Sequence, residues 1–385
     1  MTALALAVLL LARPAGAMTG NPGGGAAEFL TVGAGARALG MGEAFGPIAE
    51  GPDSMYWNPA GLAAMTEPEV SFTHTEMLDS FHHEFAAYGH PVEALGGTIG
   101  GAATIWTVDP IQSRTNANVL TNSFSPHSEA FAIGYARSFW EHNDIPTRDR
   151  EFFQDKYDSP FTPRPVHDRA EELWEGSMRA GVALKGVFET IQDRTAKAVA
   201  ADAGFLFYPY QFDGLTLSLV MRNIGSHPVY DREVEALPAE VDGGVAYDVR
   251  WPDHRLLFAF ETAVPYYGAP YAKVGAEYGT RAGEASQAFF RVGYKTLSAP
   301  YLGVLTGATF GVGFRVRSFS ADIGFEPMGE LNNILRISLQ YRFSAGGYVP
   351  SPAAPSGDSG GSYDRRGGAV GPRDDLGRAH YVWPR

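Results

Sequence analysis

Several groups of residues in this chain have types and spacings that chemistry uses. Gly357-Asp358-Ser359-Gly360-Gly361 matches the run around the nucleophile of serine proteases. That chemistry needs folded chain to complete a pocket and a histidine held beside the serine. Here the run lies in a Ser/Gly/Pro-rich tail with no suitable histidine segment upstream, so composition accounts for it. Gly33, Gly35 and Ala38, with Asp53 further on, mimic a dinucleotide fingerprint. The fingerprint requires a preceding strand, a long following helix and a parallel sheet. The strands around it here are antiparallel in character, so the segment reads as tight Gly-Ala packing. His74, His82 and His83, with Glu84, are metal-ligand types on the two arms of one predicted hairpin. His82 and His83 point to opposite faces of a strand, so at most two of the three converge. They read as loop-end and interface histidines, and no metal site is assigned. Lys273, Arg291, Lys295, Arg315, Arg317, Arg336 and Arg342 alternate with apolar neighbours. They fit either interior charges paired with Glu277, Asp322 and Glu326 or a charge-selective path, and pairing is the expected role. No catalytic residue and no cofactor is assigned, and an enzyme is not expected.

The elements that carry these residues are strands. In Leu335-Arg336-Ile337-Ser338-Leu339-Gln340-Tyr341-Arg342-Phe343 every odd position is apolar and every even one polar. A strand sends alternate side chains to opposite faces, so this one has an oily face and a charged face. Large apolar residues ending in an aromatic pair fit a membrane barrel strand, with lipid outside and a polar interior. Leu215, Leu217, Leu219 and Met221 repeat the pattern, as do Phe319, Ala321, Ile323 and Phe325. The predicted strands are 69–76, 81–90, 95–107, 127–139, 177–192, 196–209, 213–225, 238–250, 254–264, 270–279, 286–296, 303–316, 318–326 and 332–343. That total, about fourteen, is even, as bacterial barrels require. The expected fold is therefore all-β, an antiparallel transmembrane barrel.

Composition agrees. The chain has 46 glycines and no cysteine in 385 residues, which excludes disulfide scaffolds, thiolate metal sites and cysteine nucleophiles. A net charge of −13 argues against a nucleic-acid partner. Residues 1–17 hold an apolar run ending Ala15-Gly16-Ala17 and read as a secretory signal. No later stretch has the length of a membrane-spanning helix, and an exported chain that spans without helices must be a closed barrel.

Residues 18–68 are Gly-rich and poor in strand signals. Within them, 36–50 and 54–65 read as two short helices, with Asp53 or Ser54 as N-cap and a bend at Asn58-Pro59. The barrel occupies 69–343, interrupted by an acidic insertion at 141–175 with ten acids and five bases. Residues 344–385 are rich in Gly, Pro and Ser and are expected to be disordered.

Two blocks resemble a known family. GAGARALGMGEAFGPIAEGPDSMYWNPAGLA (33–63) is similar to the opening of PorV/PorQ-type and FadL-like outer-membrane proteins. GVGFRVRSFSADIGFEPMGELNNILRISLQYRF (311–343) resembles their last strands, and GVALK (181–185), SLVMRNIG (218–225) and LPAEVDGGVAYDV (237–249) fall where the family has comparable segments. The resemblance implies a fourteen-stranded barrel with a small N-terminal helical hatch, in which Asn58, Pro59 and Ala60 form the hatch motif. It departs from the family in the long insertion before GVALK and in the residues that follow Phe343. The resemblance also implies a place in the outer membrane of a Gram-negative-type bacterium and assembly by the barrel-assembly machinery. PorV-like members handle proteins exported by type IX secretion, and this is the first expectation. FadL-like passage of hydrophobic small molecules is the alternative.

Overall fold

The computed structural model describes residues 25–77, 80–115, 118–139, 176–192, 194–209, 212–230, 233–283, 285–297, 303–329, 332–343, 370–373 and 379–381. The expected signal (1–17) and the acidic insertion (141–175) lie outside them. Residues 1–344 and 345–385 form separate units.

The first unit is a closed antiparallel barrel of fourteen strands: β1 (Glu69–Met77), β2 (Phe81–Val92), β3 (Gly97–Val108), β4 (His127–Phe139), β5 (Gly176–Ile191), β6 (Arg194–Pro209), β7 (Leu215–Gly225), β8 (Glu240–Arg250), β9 (His254–Pro265), β10 (Tyr271–Gly283), β11 (Ser286–Lys295), β12 (Ala308–Val316), β13 (Phe319–Pro327) and β14 (Asn333–Arg342). Each strand pairs with its sequence neighbours. The ring closes where β1 meets β14, with Glu69 opposite Arg342 and Met77 opposite Ile334. Closure leaves no unpaired edge. At one end the described connections are turns of two to four residues, as at 317–318 and 251–253. Connections at the other end include 109–126, 226–239 and 296–307, and this is called the long-loop end.

The period-two pattern sorts side chains between two environments. Phe258, Phe260, Phe310, Val312 and Phe314 stand outward at 44–52 % exposure. On β14, Leu335, Ile337, Leu339 and Tyr341, with Phe343 just beyond the strand, are outward, whereas Arg336 between them is 1 % exposed. Among the described residues no helix is long and apolar enough to cross a membrane.

The segment 25–68 lies inside the barrel, where its side chains join those of the wall in three buried apolar clusters. It is less helical than expected. In place of two helices over 36–50 and 54–65, it has one-turn helices α1 (Ala36–Gly40) and α2 (Ser54–Trp57), and 3-10 turns at Glu28–Thr31, Gly46–Ile48 and Pro59–Ala64. Gly42 and Glu43 take positive φ, 62° and 61°, which ends α1 and turns the chain along the wall. Asp53 stands at the N-cap of α2 but makes no side-chain capping bond.

Three further differences concern short elements. Residues Val304–Gly307, expected as strand, form a 3-10 turn after Gly303 at φ 100°. Two small ladders were not expected: Ile111–Arg114 with Leu120–Phe124, and Val229–Tyr230 with Glu233–Val234. In the second unit, Val370–Arg373 pairs with Ala379–Tyr381, so part of the stretch expected to be disordered carries strand pairing.

Candidate functional site

The hatch motif sits where the interior segment meets β5 and β6. Asn58 is fully buried in extended conformation (φ −160°, ψ 102°), between α2 and the next turn. Its Nδ2 donates to Gly46 O at 3.1 Å and Phe205 O at 3.3 Å, and its Oδ1 accepts from Ala60 N at 3.1 Å. One amide therefore joins two hatch turns to the barrel wall and uses its donors and acceptor in doing so. Pro59 fills the space beside Gly204 and Gly181; a Cβ on either glycine would collide with the Asn58-Pro59-Ala60 turn.

The same contact recurs around the wall. Gly89, Gly100 and Gly134 are cross-strand partners on β2, β3 and β4. They make room for Met55, Leu62 and Met65. Gly275 pairs with Gly293 and receives the Met41-Gly42 backbone; Gly311 pairs with Gly324 and receives Gly40, Ala36 and Leu39. Paired inward glycines thus form a track on which the hatch rests almost backbone to backbone. The abundance of glycine was visible in the sequence, but its inward register was not.

Charged groups complete the docking. Arg37 of α1 reaches Glu277 through Nε at 2.8 Å and Nη2 at 3.0 Å, and also pairs with Glu50. Glu277 holds Arg291 as well, at 2.6 Å, and Arg291 continues to Asp322 at 2.6 Å. Glu43 of the hatch receives Lys295 at 3.1 Å and Arg336 at 3.4 Å, and Lys295 also meets Glu326 at 2.8 Å. Burial pushes the Glu43 carboxyl up, but Lys295 and Arg336 outweigh burial and hold it near about 2. Lys273 pairs with Glu261 at 2.9 Å. Arg315 donates to Ser320 at 3.1 Å and Arg342 to Glu69 at 2.8 Å. Paired interior charge is therefore what the structure gives for most of the alternating basic residues. Arg222, a residue the sequence reading did not single out, lies over both Tyr56 and Trp57 at 5.4 Å.

The two ends of this plug differ in character. Toward the long-loop end, Phe29 and Leu30 pack with Ala130, Val187, Ala198, Ala200 and Leu237, with Trp106 alongside. That end is a packed apolar cluster. Toward the short-turn end, a cavity of about 60 Å³ is lined by Arg37, Glu50, Asp53, Arg315, Asp322 and Arg342 among others. Asp53 Oδ1 is covered there without a hydrogen-bond partner, and burial pushes its carboxyl up.

The remaining candidates separate. His83 faces inward, fully buried, with Trp106 at 6.3 Å. His74 and His82 face outward; His74 Nδ1 meets Glu84 Oε1 at 2.6 Å. Among the described residues no group of ligand side chains could hold a metal. Gly35, at φ 82°, starts α1 against Asp53, and no parallel sheet surrounds it. The Gly357–Gly361 run lies outside the described residues.

No family model matches this chain, and no curated protein does. Among solved structures, two of the Pseudomonas putida toluene transporter TodX align at TM-scores of 0.52 and 0.50. Both are 10 % identical; the alignments cover 80 % and 81 % of this chain and 97 % and 99 % of TodX. A FadL homologue from Pseudomonas aeruginosa aligns at 0.44, with 11 % identity over 80 % of this chain and 98 % of its own. At such identity the likeness is one of fold.

Proposed function

We propose that this chain is an outer-membrane barrel through which hydrophobic small molecules pass, with the hatch controlling the route. The observation that carries this reading is the closed barrel whose interior segment turns a packed apolar cluster of Phe29 and Leu30, with Trp106 alongside, toward the long-loop end. Apolar surface of this kind favours apolar solutes by roughly 25 cal/mol per Å² removed from water. The polar cavity at the opposite end does not. The outward apolar band and the expected signal support the outer membrane as its place. Fold similarity to a toluene transporter supports this alternative better than the export-handling expectation, which rests on the sequence motifs alone.

A deletion strain tests it. Uptake of a fluorescent fatty acid and of toluene should fall, with secreted proteins delivered normally. Asn58→Ala/Pro59→Ala protein should assemble and still lose uptake, because the substituted residues belong to the hatch and the strand pairing of the wall does not depend on them. Unchanged uptake together with lost delivery of secreted proteins would replace this function with the export reading.

A further inference from the structure

The deeply buried bases of the inner wall are matched by acids. Lys185 meets Asp202 at 2.6 Å, Arg222 meets Asp242 at 2.9 Å and Arg255 meets Asp248 at 2.9 Å. Lys273, Arg291, Lys295 and Arg336 have the carboxylate partners already described. Arg179 is the exception. It stands on the inner face of β5 and is 8 % exposed, yet among the described residues no carboxylate pairs with it. Its Nη1 donates to the hydroxyl of Tyr208 at 3.0 Å, and the Tyr208 ring lies 4.8 Å from its Cζ. Its Nε is covered and has no hydrogen-bond partner. A guanidinium carries five N–H donors and keeps its charge in proteins. The edge formed by Nε and Nη2, which takes a carboxylate side-on, is therefore unbonded among the described residues.

A second unbonded group lies beside it. Ser138 on β4 is the cross-strand partner of Arg179, and its Oγ is likewise covered without a hydrogen-bond partner. On the other flank stands fully buried Leu206 of β6. The next inward residue of β5, Gly181, lies under Pro59 and pairs with buried Ala136. The pair is thus closed off by the hatch turn and apolar side chains on one side, with Tyr208 and Ser177 toward the short-turn end. A buried cation without a counter-charge is costly, and arginine cannot relieve the cost by losing its proton. An anion relieves it. One unmatched charge calls for one negative charge, and the side-on edge calls for two coplanar oxygens. The neighbouring hydroxyl supplies a further donor. We propose that Arg179 and Ser138 form a binding site for a small carboxylate that enters from the short-turn end. The inference is independent of what the barrel carries.

Acetate is the probe, titrated into the full-length protein in detergent and followed by calorimetry. Arg179→Met should bind it at least about tenfold more weakly than the parent, because charge-assisted hydrogen bonds are lost. Arg179→Lys should recover part of the affinity, since it keeps the charge and loses the fork. Ser138→Ala should weaken binding by roughly threefold. Sulfate, a tetrahedral dianion, should compete poorly. The heat-modifiable barrel band gives a second measurement that needs no ligand. Without acetate, Arg179→Met protein should keep its folded band to the same temperature as the parent or higher, because the lost charge had no match in the barrel. Acetate should then raise the temperature of the parent and not that of the variant. A lower temperature for Arg179→Met without acetate means that the guanidinium has a partner within the chain, and overturns the proposal. Acetate binding that is missing in the parent, or unchanged by Arg179→Met, overturns it too. So does binding that appears only after Glu171, Glu172 and Glu175 are changed to Gln, which would give Arg179 to the chain's own carboxylates. Sulfate bound more tightly than acetate overturns the carboxylate as the ligand.

Discussion

The glycine track makes a quantitative demand at Gly181 and Gly204. A methyl group on Gly181 would lie 2.5 Å from Ala60 N and 2.6 Å from Pro59 O; one on Gly204 would lie 3.0 Å from Asn58 Cγ and 3.1 Å from Pro59 Cδ. Ordinary contacts of a Cβ are 3.4–4 Å, so the Asn58-Pro59-Ala60 turn must retreat. At Gly181 the obstacle is backbone, which yields little. Overpacking of this kind costs roughly 1–3 kcal/mol per site. The two sites press on one turn and do not add fully, so about 3 kcal/mol is a working value for the double substitution Gly181→Ala/Gly204→Ala. Neither glycine needs a positive φ, so both strands keep their pairing. The cost then falls on hatch docking, whose undocked population should rise about a hundredfold. Hydrogen exchange is the assay: the amides of Gly46, Ala60 and Gly61 should exchange faster by that factor, and those of β9 and β10 should not change. Gly243→Ala is the control, because nothing lies within 4 Å of its Cβ. Unchanged hatch exchange in a protein that assembles would show that the interior has slack and would refute the reasoning. Failure to assemble would mean that the track serves barrel closure instead.

Other consequences are as direct. Leu339→Arg sets a charge on the outer face and should cost about 2–4 kcal/mol, while Gln340→Arg points inward beside Glu69 and should cost little; folding yields in bilayers decide, and equal effects would reverse the face assignment. Glu277→Gln leaves Arg37, Arg291 and Arg255 buried around a neutral amide and should destabilise by about 3–5 kcal/mol, read as a lower temperature for loss of the folded band in gels. Asp53 gives a pH dependence. Burial raises its carboxyl above the ordinary 3.8, so its favourable contribution is full below that value and is lost as pH rises through the higher folded value. Asp53→Asn should therefore be more stable than the parent at pH 7, with the difference vanishing toward pH 3; a constant difference across that range would remove ionisation as the cause.

The sequence by itself determined the barrel, because the signal for a membrane strand is local. Leu335 to Phe343 alternate within one strand, and that alternation names the element and its two faces without knowledge of any neighbour. Fourteen such segments lie within a few residues of the observed strands. Interior basic residues were legible for the same reason: Lys273, Arg291, Lys295 and Arg336 fall on the buried face of strands whose other face is apolar. Their partners were only partly so. Arg37 meets Glu277 across 240 residues, and Glu43 meets Arg336 across 293, distances over which no periodicity speaks. The hatch was overread as helix because its Ala-rich composition favours helix, whereas contact with the glycine track and the turn at Gly42-Glu43 bends it into single turns. The glycines themselves carried no message until register placed Gly89 beside Gly100, Gly181 beside Gly204, and Gly275 beside Gly293. Tertiary structure alone set Phe29 and Leu30 against Ala130, Val187, Ala198 and Leu237, because that packing depends on which strands are neighbours around a closed ring.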